Sequence, residues 1–286
     1  MEADRARKPH AMPATASPWA TRPFVQRSDS WLGDWWLGTV DVGTWLPLAW
    51  YDVSLRYRRS LLGPWWLTIS MGMMLLGLGP LYATLFGLPM RDYFPSVAIG
   101  MIFWNFMSST LNDGSSVFIA GSSYLKNSDM PISLFSWRCV ARHVIQLMHH
   151  MVLYIPFAVW AGVPPRLTTL LFLPGLLLLV FNMHAAVISV GMACARFRDV
   201  GQIVASTLTF MTFLTPIIWS PESLPERARV VLDLPFAVWL ALVREPLLGR
   251  AVEPRTWLVA LGWTMVNVAI AAVMFSRKRR QLVYWV

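Results

Sequence analysis

Charge is what this chain has least of. Asp, Glu, Lys and Arg make up 14% of its 286 residues and hydrophobic side chains 56%, whereas an ordinary soluble domain is roughly 25% charged. Lysine is almost absent: Lys8, Lys126 and Lys278 are the whole supply, and none follows the glycines of a GxxxxGK[ST] phosphate loop. The chain is therefore not expected to hydrolyse ATP through such a loop. Two lone cysteines, Cys139 and Cys194, argue against a disulfide framework and against a cysteine-based metal cluster. No secretory pattern opens the chain, since residues 1–30 hold no apolar core of signal-peptide length, so the first apolar run is expected to stay as an anchor. Acids are scarce inside the apolar runs, where Asp113 stands alone, and a proton relay needs more than one such group. Its simplest reading is an interfacial carboxylate, hydrated or capped by Asn112 and nearby serines. His149 and His150 point about 100° apart on a helix and cannot chelate one ion together. Polar contacts between helices suit them, His143 and His184 better. No Ser-His-Asp or paired-carboxylate arrangement stands out, so neither a catalytic residue nor a metal ligand is assigned.

Long apolar runs are what remains. A membrane span needs about 20 mostly apolar residues, and six windows qualify: Ser60–Met90, Tyr93 to about Ala120, His143–Pro165, Leu167–Ala195, Val200–Pro221 and Thr256–Ser276. The fold class expected is all-α integral membrane. The 24 Lys and Arg residues orient it, because cytoplasmic loops collect positive charge. Seventeen fall on one side: eight up to Arg59, three between Lys126 and Arg142, Arg196 with Arg198, and four in Arg277–Arg280. Both termini are expected to be cytoplasmic. Positive-inside topology and anionic lipid headgroups account for the net charge of +9 without nucleic acid.

Residues 1–30, rich in Ala, Pro, Ser and Arg, read as a disordered cytoplasmic tail. Residues 31–59 read as an amphipathic interface helix, with Leu46, Trp50, Val53 and Tyr57 on one face and Asp52, Arg56 and Arg59 opposite. Leu48 and Leu55 blur that pattern, so a helix lying on lipid and a helix docked on two sides both fit. Residues 60–276 form the six-span domain and 277–286 a basic cytoplasmic tail. Between spans five and six, the ten uncharged residues Leu234–Val243 are too few to cross and read as re-entrant or interfacial, broken by Pro221, Pro225, Pro235 and Pro246. Serines such as Ser108 and Ser115, with Gly100, Gly114 and Gly121, suit close helix approach. Trp65, Trp66, Trp137, Trp160, Trp219 and Trp257 sit at span ends, as in a membrane-interface belt.

One stretch carries more than topology. DVSLRYRRSLLGPWW, Asp52–Trp66, resembles the approach to the first span in type-2 ATP-binding-cassette permeases that export polysaccharides and polyol phosphates. YLKNSDMPISLF, Tyr124–Phe135, is similar to that family's loop between spans two and three, ARFRDV, Ala195–Val200, to its turn between spans four and five, and LTPIIWSPESLP to the start of its re-entrant outer helices. The four lie in the family's order across roughly residues 45–280; Leu234-Pro235 departs from the Asn-Pro of many members. The resemblance implies a homodimer of six-span subunits in the bacterial inner membrane, each with a separate cytoplasmic ABC ATPase chain that holds ATP and Mg, and no cofactor in this chain. It implies coupling to the ATPase through Lys126, Asp129 and Pro131, and through Arg196, Arg198 and Asp199. It also places spans one and five along the export path, which offers Tyr82, Phe86, Phe210, Phe213 and Trp219 as channel lining.

The cargo implied is a lipid-linked polysaccharide, an O-antigen or a capsular glycan, whose phosphate head would meet Arg56, Arg58 and Arg59. Within the opening stretch Asp52 is expected to pair with Arg56 one turn on, and Gly63-Pro64 to break the helix before the membrane. An exporter of a drug or simple lipid on the same fold, and an ATP-independent channel or intramembrane enzyme, are the rival readings.

Overall fold

The computed structural model describes residues 26–164 and 166–286; most of the tail expected over residues 1–30 lies outside them. Among the described residues every regular element is helical. Two short helices come first, α1 (Trp31–Val40) and α2 (Val42–Arg56), and then α3 (Trp65–Phe86) and α4 (Met90–Gly114). Two brief turns of helix, α5 (Val117–Ala120) and α6 (Ser122–Asn127), lead into α7 (Ile132–Ala161). The remainder are α8 (Phe172–Arg196), entered through a 3₁₀ turn at Leu167–Leu171, α9 (Val200–Leu214), α10 (Pro235–Leu247) and α11 (Pro254–Trp285).

Four segments are long and apolar enough to cross a bilayer: Trp65–Phe86, Ile132–Ala161, Leu167–Arg196 and Pro254–Trp285. At 1.5 Å per residue the shortest of them reaches about 33 Å, enough for a hydrocarbon core of about 30 Å. The two other expected spans differ for different reasons. Helix α4 is 25 residues long but carries Arg91, Asp92 and Asp113, and fifteen of its residues are buried, so it faces neighbouring helices more than lipid. Helix α9 stops after 15 residues at Leu214, and the chain continues irregularly through Thr215–Trp219. Fifteen residues span only about 22 Å.

Helix α4 is the hub. Phe94, Ile99, Ile102, Phe103 and Met107 are fully or nearly fully buried, and α3, α7, α8, α9 and α10 all pack on it. Close approach at its last turn uses Gly114, where a Cβ would fall 2.8 Å from the Val187 side chain on α8. The serines do something simpler than let helices meet: Ser108, Ser115 and Ser116 bond back to carbonyls of α4 itself, and the last two end it.

Two expected boundaries move. The third span begins eleven residues before His143, at Ile132, so Arg138 and Arg142 ride on α7 and not in a loop. The second breaks at Ser115 and does not run to Ala120. Between α9 and α11, α10 starts at Pro235, which needs no N–H partner in a first turn. Its buried face, Val238, Trp239, Leu242 and Val243, is packed among α4, α8 and α11.

A second, smaller core closes one end of the bundle. Phe118, Ile132, Phe135, Ile188, Phe275 and Leu282 bring α5, α7, α8 and α11 together there, with Trp31 and Trp35 of α1 against them. Helix α1 approaches so closely that a Cβ on Gly38 would fall 2.0 Å from Ser133 Oγ and 2.8 Å from the Leu134 nitrogen. Because the second of these is backbone at the start of α7, it cannot swing aside. Gly38→Val is expected to lower stability by about 1–3 kcal/mol, the range for overpacking. Gly77→Ala, on a helix position with open space around it, is expected to be neutral or stabilising by up to about 1 kcal/mol. Thermal unfolding of both purified proteins in one detergent reads the contrast.

Candidate functional site

Where α2 crosses α7 beside the end of α4, oppositely charged side chains converge. The Asp52 carboxylate on α2 accepts from Arg138 at both oxygens, 2.6 Å from Nη2 and 2.8 Å from Nε, and lies 3.6 Å from Arg142. Arg138 and Arg142 are one turn apart on α7, so both guanidinium groups reach the same side. Arg142 also donates to Asp113 at the end of α4 at 2.8 Å, where His143 Nε2 stands 3.1 Å away and Arg56 Nη2 3.9 Å away. Asp52, Arg56, Asp113, Arg138 and Arg142 border a cavity of about 330 Å³, walled further by Ser116, Gly121, Tyr124 and Phe135. Three arginines against two carboxylates leave it with a positive excess, and the Tyr124 ring lies 5.9 Å from the Arg138 guanidinium.

Asp52 therefore pairs across to α7 and not with Arg56, one turn on. The expected faces of α2 are revised with it. Asp52 is turned towards the bundle along with Ala49 and Val53, while Leu46 and Trp50 are exposed. Asp113 is not capped by Asn112 and the serines; its partners are Arg142, His143 and Arg56. His184 makes the expected contact between helices, a 2.9 Å hydrogen bond with Ser136; the His149 ring instead bonds back to the Ile145 carbonyl of its own helix at 2.8 Å, and only its backbone carbonyl accepts from Thr68 of α3. Trp137 is no interface anchor. It stacks on Trp45 at 5.6 Å and on His184 at 4.1 Å, joining α2, α7 and α8.

At the same end, α1 is fixed by a carboxylate with no exposure to solvent. Asp34 Oδ1 accepts from the Ile132 N–H at 2.9 Å and the Ser133 N–H at 3.4 Å, so it caps the N-terminus of α7, where the helix dipole favours negative charge. Its Oδ2 lies 3.0 Å from Arg279 of α11. Arg279 itself is 5% exposed and also donates to the carbonyls of Ser28 and Asp29. Burial pushes the Asp34 carboxyl above its ordinary range, opposed by the Ser133 N–H and then by Arg279.

At the opposite end, the irregular stretch after α9 is held by Arg244 of α10. This nearly buried guanidinium donates to the Pro216 carbonyl at 2.5 Å and to Glu245 at 3.2 Å. Tyr93 donates to the Ile218 carbonyl at 2.5 Å. Nearby, Arg250 lies 3.7 Å from Glu245 and 4.0 Å from Glu222, whose carboxyl is held below its ordinary range first by the Ser220 hydroxyl. No group of three or more His, Cys, Asp or Glu side chains suited to a metal ion occurs among the described residues.

Residues 45–246 match the family described as ABC-2 type transporter. The chain belongs to that family. Its curated relatives include two proteins from Klebsiella pneumoniae named O-antigen export system permease protein RfbA. Both are 24% identical, over 182 and 184 residues, covering 62% of this chain and 68% of each relative. A protein of the same name from Myxococcus xanthus is 22% identical over 191 residues, covering 65% and 72%. The match to the ABC-2 type transporter family takes in the charged cavity and leaves α1 and α11 outside it.

Within this ABC-2 chain the residues singled out from sequence separate into three groups. Arg56 borders the cavity, but Arg58 and Arg59 are exposed beyond it, and Arg59 takes the left-handed backbone that turns the chain after α2. Lys126 and Asp129 are exposed, and Pro131 is the buried N-cap of α7. Arg196, Arg198 and Asp199 are exposed where α8 gives way to α9, and Arg196 lies over the Trp285 ring of α11 at 5.6 Å. Among the aromatics, Tyr82 stacks on Phe86, and Phe86 meets Tyr93 edge to face. Phe210 and Phe213 project from α9, Phe213 being 73% exposed, and the Trp219 indole donates to the Phe213 carbonyl at 3.0 Å.

Asp34, Arg138, Arg142, Arg244 and Arg279 escaped the sequence reading. Three of them left a trace. The buried stripe of α11 runs Ala271, Phe275, Arg279, Leu282, so a charge occupies an apolar position; Arg138 and Arg142 repeat at helical spacing. The Asp52 and Arg138 contact is bidentate and mostly buried, and Arg138→Gln is expected to cost about 1.5–3 kcal/mol, as for hydrogen bonds to charged groups. Arg56, whose side chain is 52% exposed and 3.9 Å from its partner, is expected to cost less than about 1 kcal/mol as Gln. Denaturation midpoints of the two variants in the same detergent check the order.

Proposed function

We propose that this chain is the membrane subunit of an ATP-driven exporter that carries a lipid-linked polysaccharide, such as an O-antigen or capsular glycan, across the bacterial inner membrane. The observation that carries this reading is the ABC-2 match over residues 45–246 together with relatives named as O-antigen export permeases over the same type of chain. A separate cytoplasmic ATPase would hold ATP and Mg and supply the energy. Two copies of this chain would face each other, each crossing six times, with both termini in the cytoplasm. In that arrangement α4 and α9 with its irregular extension complete the six passes, and α10 is re-entrant.

The geometry supports parts of this. The cavity bordered by Arg56, Arg138 and Arg142 offers guanidinium groups to a phosphate or pyrophosphate head, for which planar forked donors are well matched. Arg58 and Arg59, exposed just outside it, would draw anionic headgroups to the same place. Only Leu208 of α9 is buried, so Phe210 and Phe213 are free to face the export path or the second copy. Stacked Tyr82 and Phe86, with Trp219, would continue a smooth aromatic surface along which sugars slide. Lys126, Asp129 and Pro131, with Arg196, Arg198 and Asp199, would receive the push of the ATPase, and rotation of the helices would switch access.

Deleting the gene is expected to remove the surface glycan and leave glycan accumulated in the cytoplasm, read by extracting the two pools separately. Complementation with Arg56→Gln plus Arg142→Gln is expected to restore membrane insertion but not surface glycan. Intact surface glycan in the deletion strain would reject this cargo class.

A further inference from the structure

The two turns assigned to the ATPase under the proposed function, 122–131 and 196–200, are far apart in sequence, and one push must move both for the helices to respond together. The structure joins them through α11. Arg279 holds Asp34, and Asp34 holds the first N–H groups of α7 directly after the 122–131 turn. Six residues on, Trp285 of the same helix lies beneath the Arg196 guanidinium at 5.6 Å. Between these points Trp35 of α1 meets His184 of α8 at 5.6 Å and Phe275 of α11 at 5.5 Å, both edge to face. Leu282 completes the apolar contact with no exposure.

Charge location makes the arrangement hard to explain as a tether alone. Arg277, Lys278 and Arg280 are exposed, as a positive-inside anchor requires, whereas Arg279 is turned inward among apolar side chains. Burying a guanidinium is costly unless it is fully partnered, and an apolar residue would close the same packing at less cost. What the ion pair adds is direction: Asp34 has acceptors committed to α7 on one oxygen and to α11 on the other. We propose that Asp34 and Arg279 are positioning residues that yoke the 122–131 and 196–200 turns, through α1 and α11, into one body that moves as a unit when the ATPase acts. This rests on the reading that those turns meet the ATPase, but the yoke itself can be tested without it.

Hydrogen exchange of the purified full chain supplies that test. Arg279→Met is expected to speed amide exchange by about tenfold or more in both the 122–131 and 196–201 peptides, although the hydrogen bonds of Arg279 go to Ser28, Asp29 and Asp34 and to neither segment. Trp285→Ala is expected to speed it in 196–201 alone. Should Arg279→Met fail to fold, Arg279→Lys, which keeps the charge but loses the forked contacts to Asp34 and the two carbonyls, is expected to show a smaller rise in both peptides. A rise confined to residues 26–40 in the Met or Lys variant overturns the yoke. In the reconstituted complex, Arg279→Lys is expected to keep ATP hydrolysis while glycan exported per ATP falls; unchanged export per ATP also overturns the proposal. If the unaltered chain captures no ATPase while the exchange pattern appears as stated, the partner reading fails and the yoke stands.

Discussion

A carboxylate sealed from water, Asp34, sets the arrangement of the end of the bundle where α1, α7 and α11 meet. Removing one member of such a buried pair costs about 3–5 kcal/mol because the other is left charged and unpartnered. Asp34 avoids that by drawing on the α7 N-terminus and Arg279 together. To do so α1 must lie within touching distance of the Ser133 backbone, which only the missing side chain of Gly38 allows. The short helix thus fixes where α7 begins, and α7 in turn carries Arg138 and Arg142 to Asp52 and Asp113. One constraint propagates into the position of the whole charged cavity.

The same logic separates the two ends of the molecule. A span offers no water to its polar groups, so charge is confined to places where several elements meet. Near α2 and the end of α4 the charges are paired between helices around an open cavity. Near α10, the guanidinium of Arg244 pairs with a backbone carbonyl and with the neighbouring Glu245, fastening a stretch that has left helical form. The first arrangement leaves guanidinium groups along an opening, and the second fastens irregular backbone. Between them α4 supplies an almost wholly buried apolar axis.

Much of the architecture could be read from composition, because a run of twenty apolar residues has few other uses. Helices α3, α8 and α11 fall where those runs are. What could not be read is tertiary in origin. The third span begins at Ile132, eleven residues early, since arginines at helical spacing look like loop charge until Asp52 and Asp113 are known to face them. Helix α9 ends at Leu214 although the apolar run continues to Trp219, because the chain there gives its backbone to Arg244 and Tyr93 instead of to itself. Of the candidate site, Arg56 and its neighbours were visible through the Asp52–Trp66 stretch, but the partner of Asp52 was not: a local i, i+4 rule favoured Arg56, and a bidentate contact 86 residues away prevailed.

The match over residues 45–246 makes the chain an ABC-2 type transporter; under the proposed export function, the arginine cavity would be its charged entrance and the exposed aromatics of α9 an apolar, sugar-tolerant face. The most direct measurement is made in sealed vesicles containing this chain, its ATPase and a lipid-linked glycan on the ATPase-facing side, with glycan on the opposite side detected by a lectin. The account predicts lectin-reactive glycan that accumulates only with ATP and only when both chains are present. Accumulation without ATP, or none despite ATP hydrolysis by an assembled complex, would contradict it.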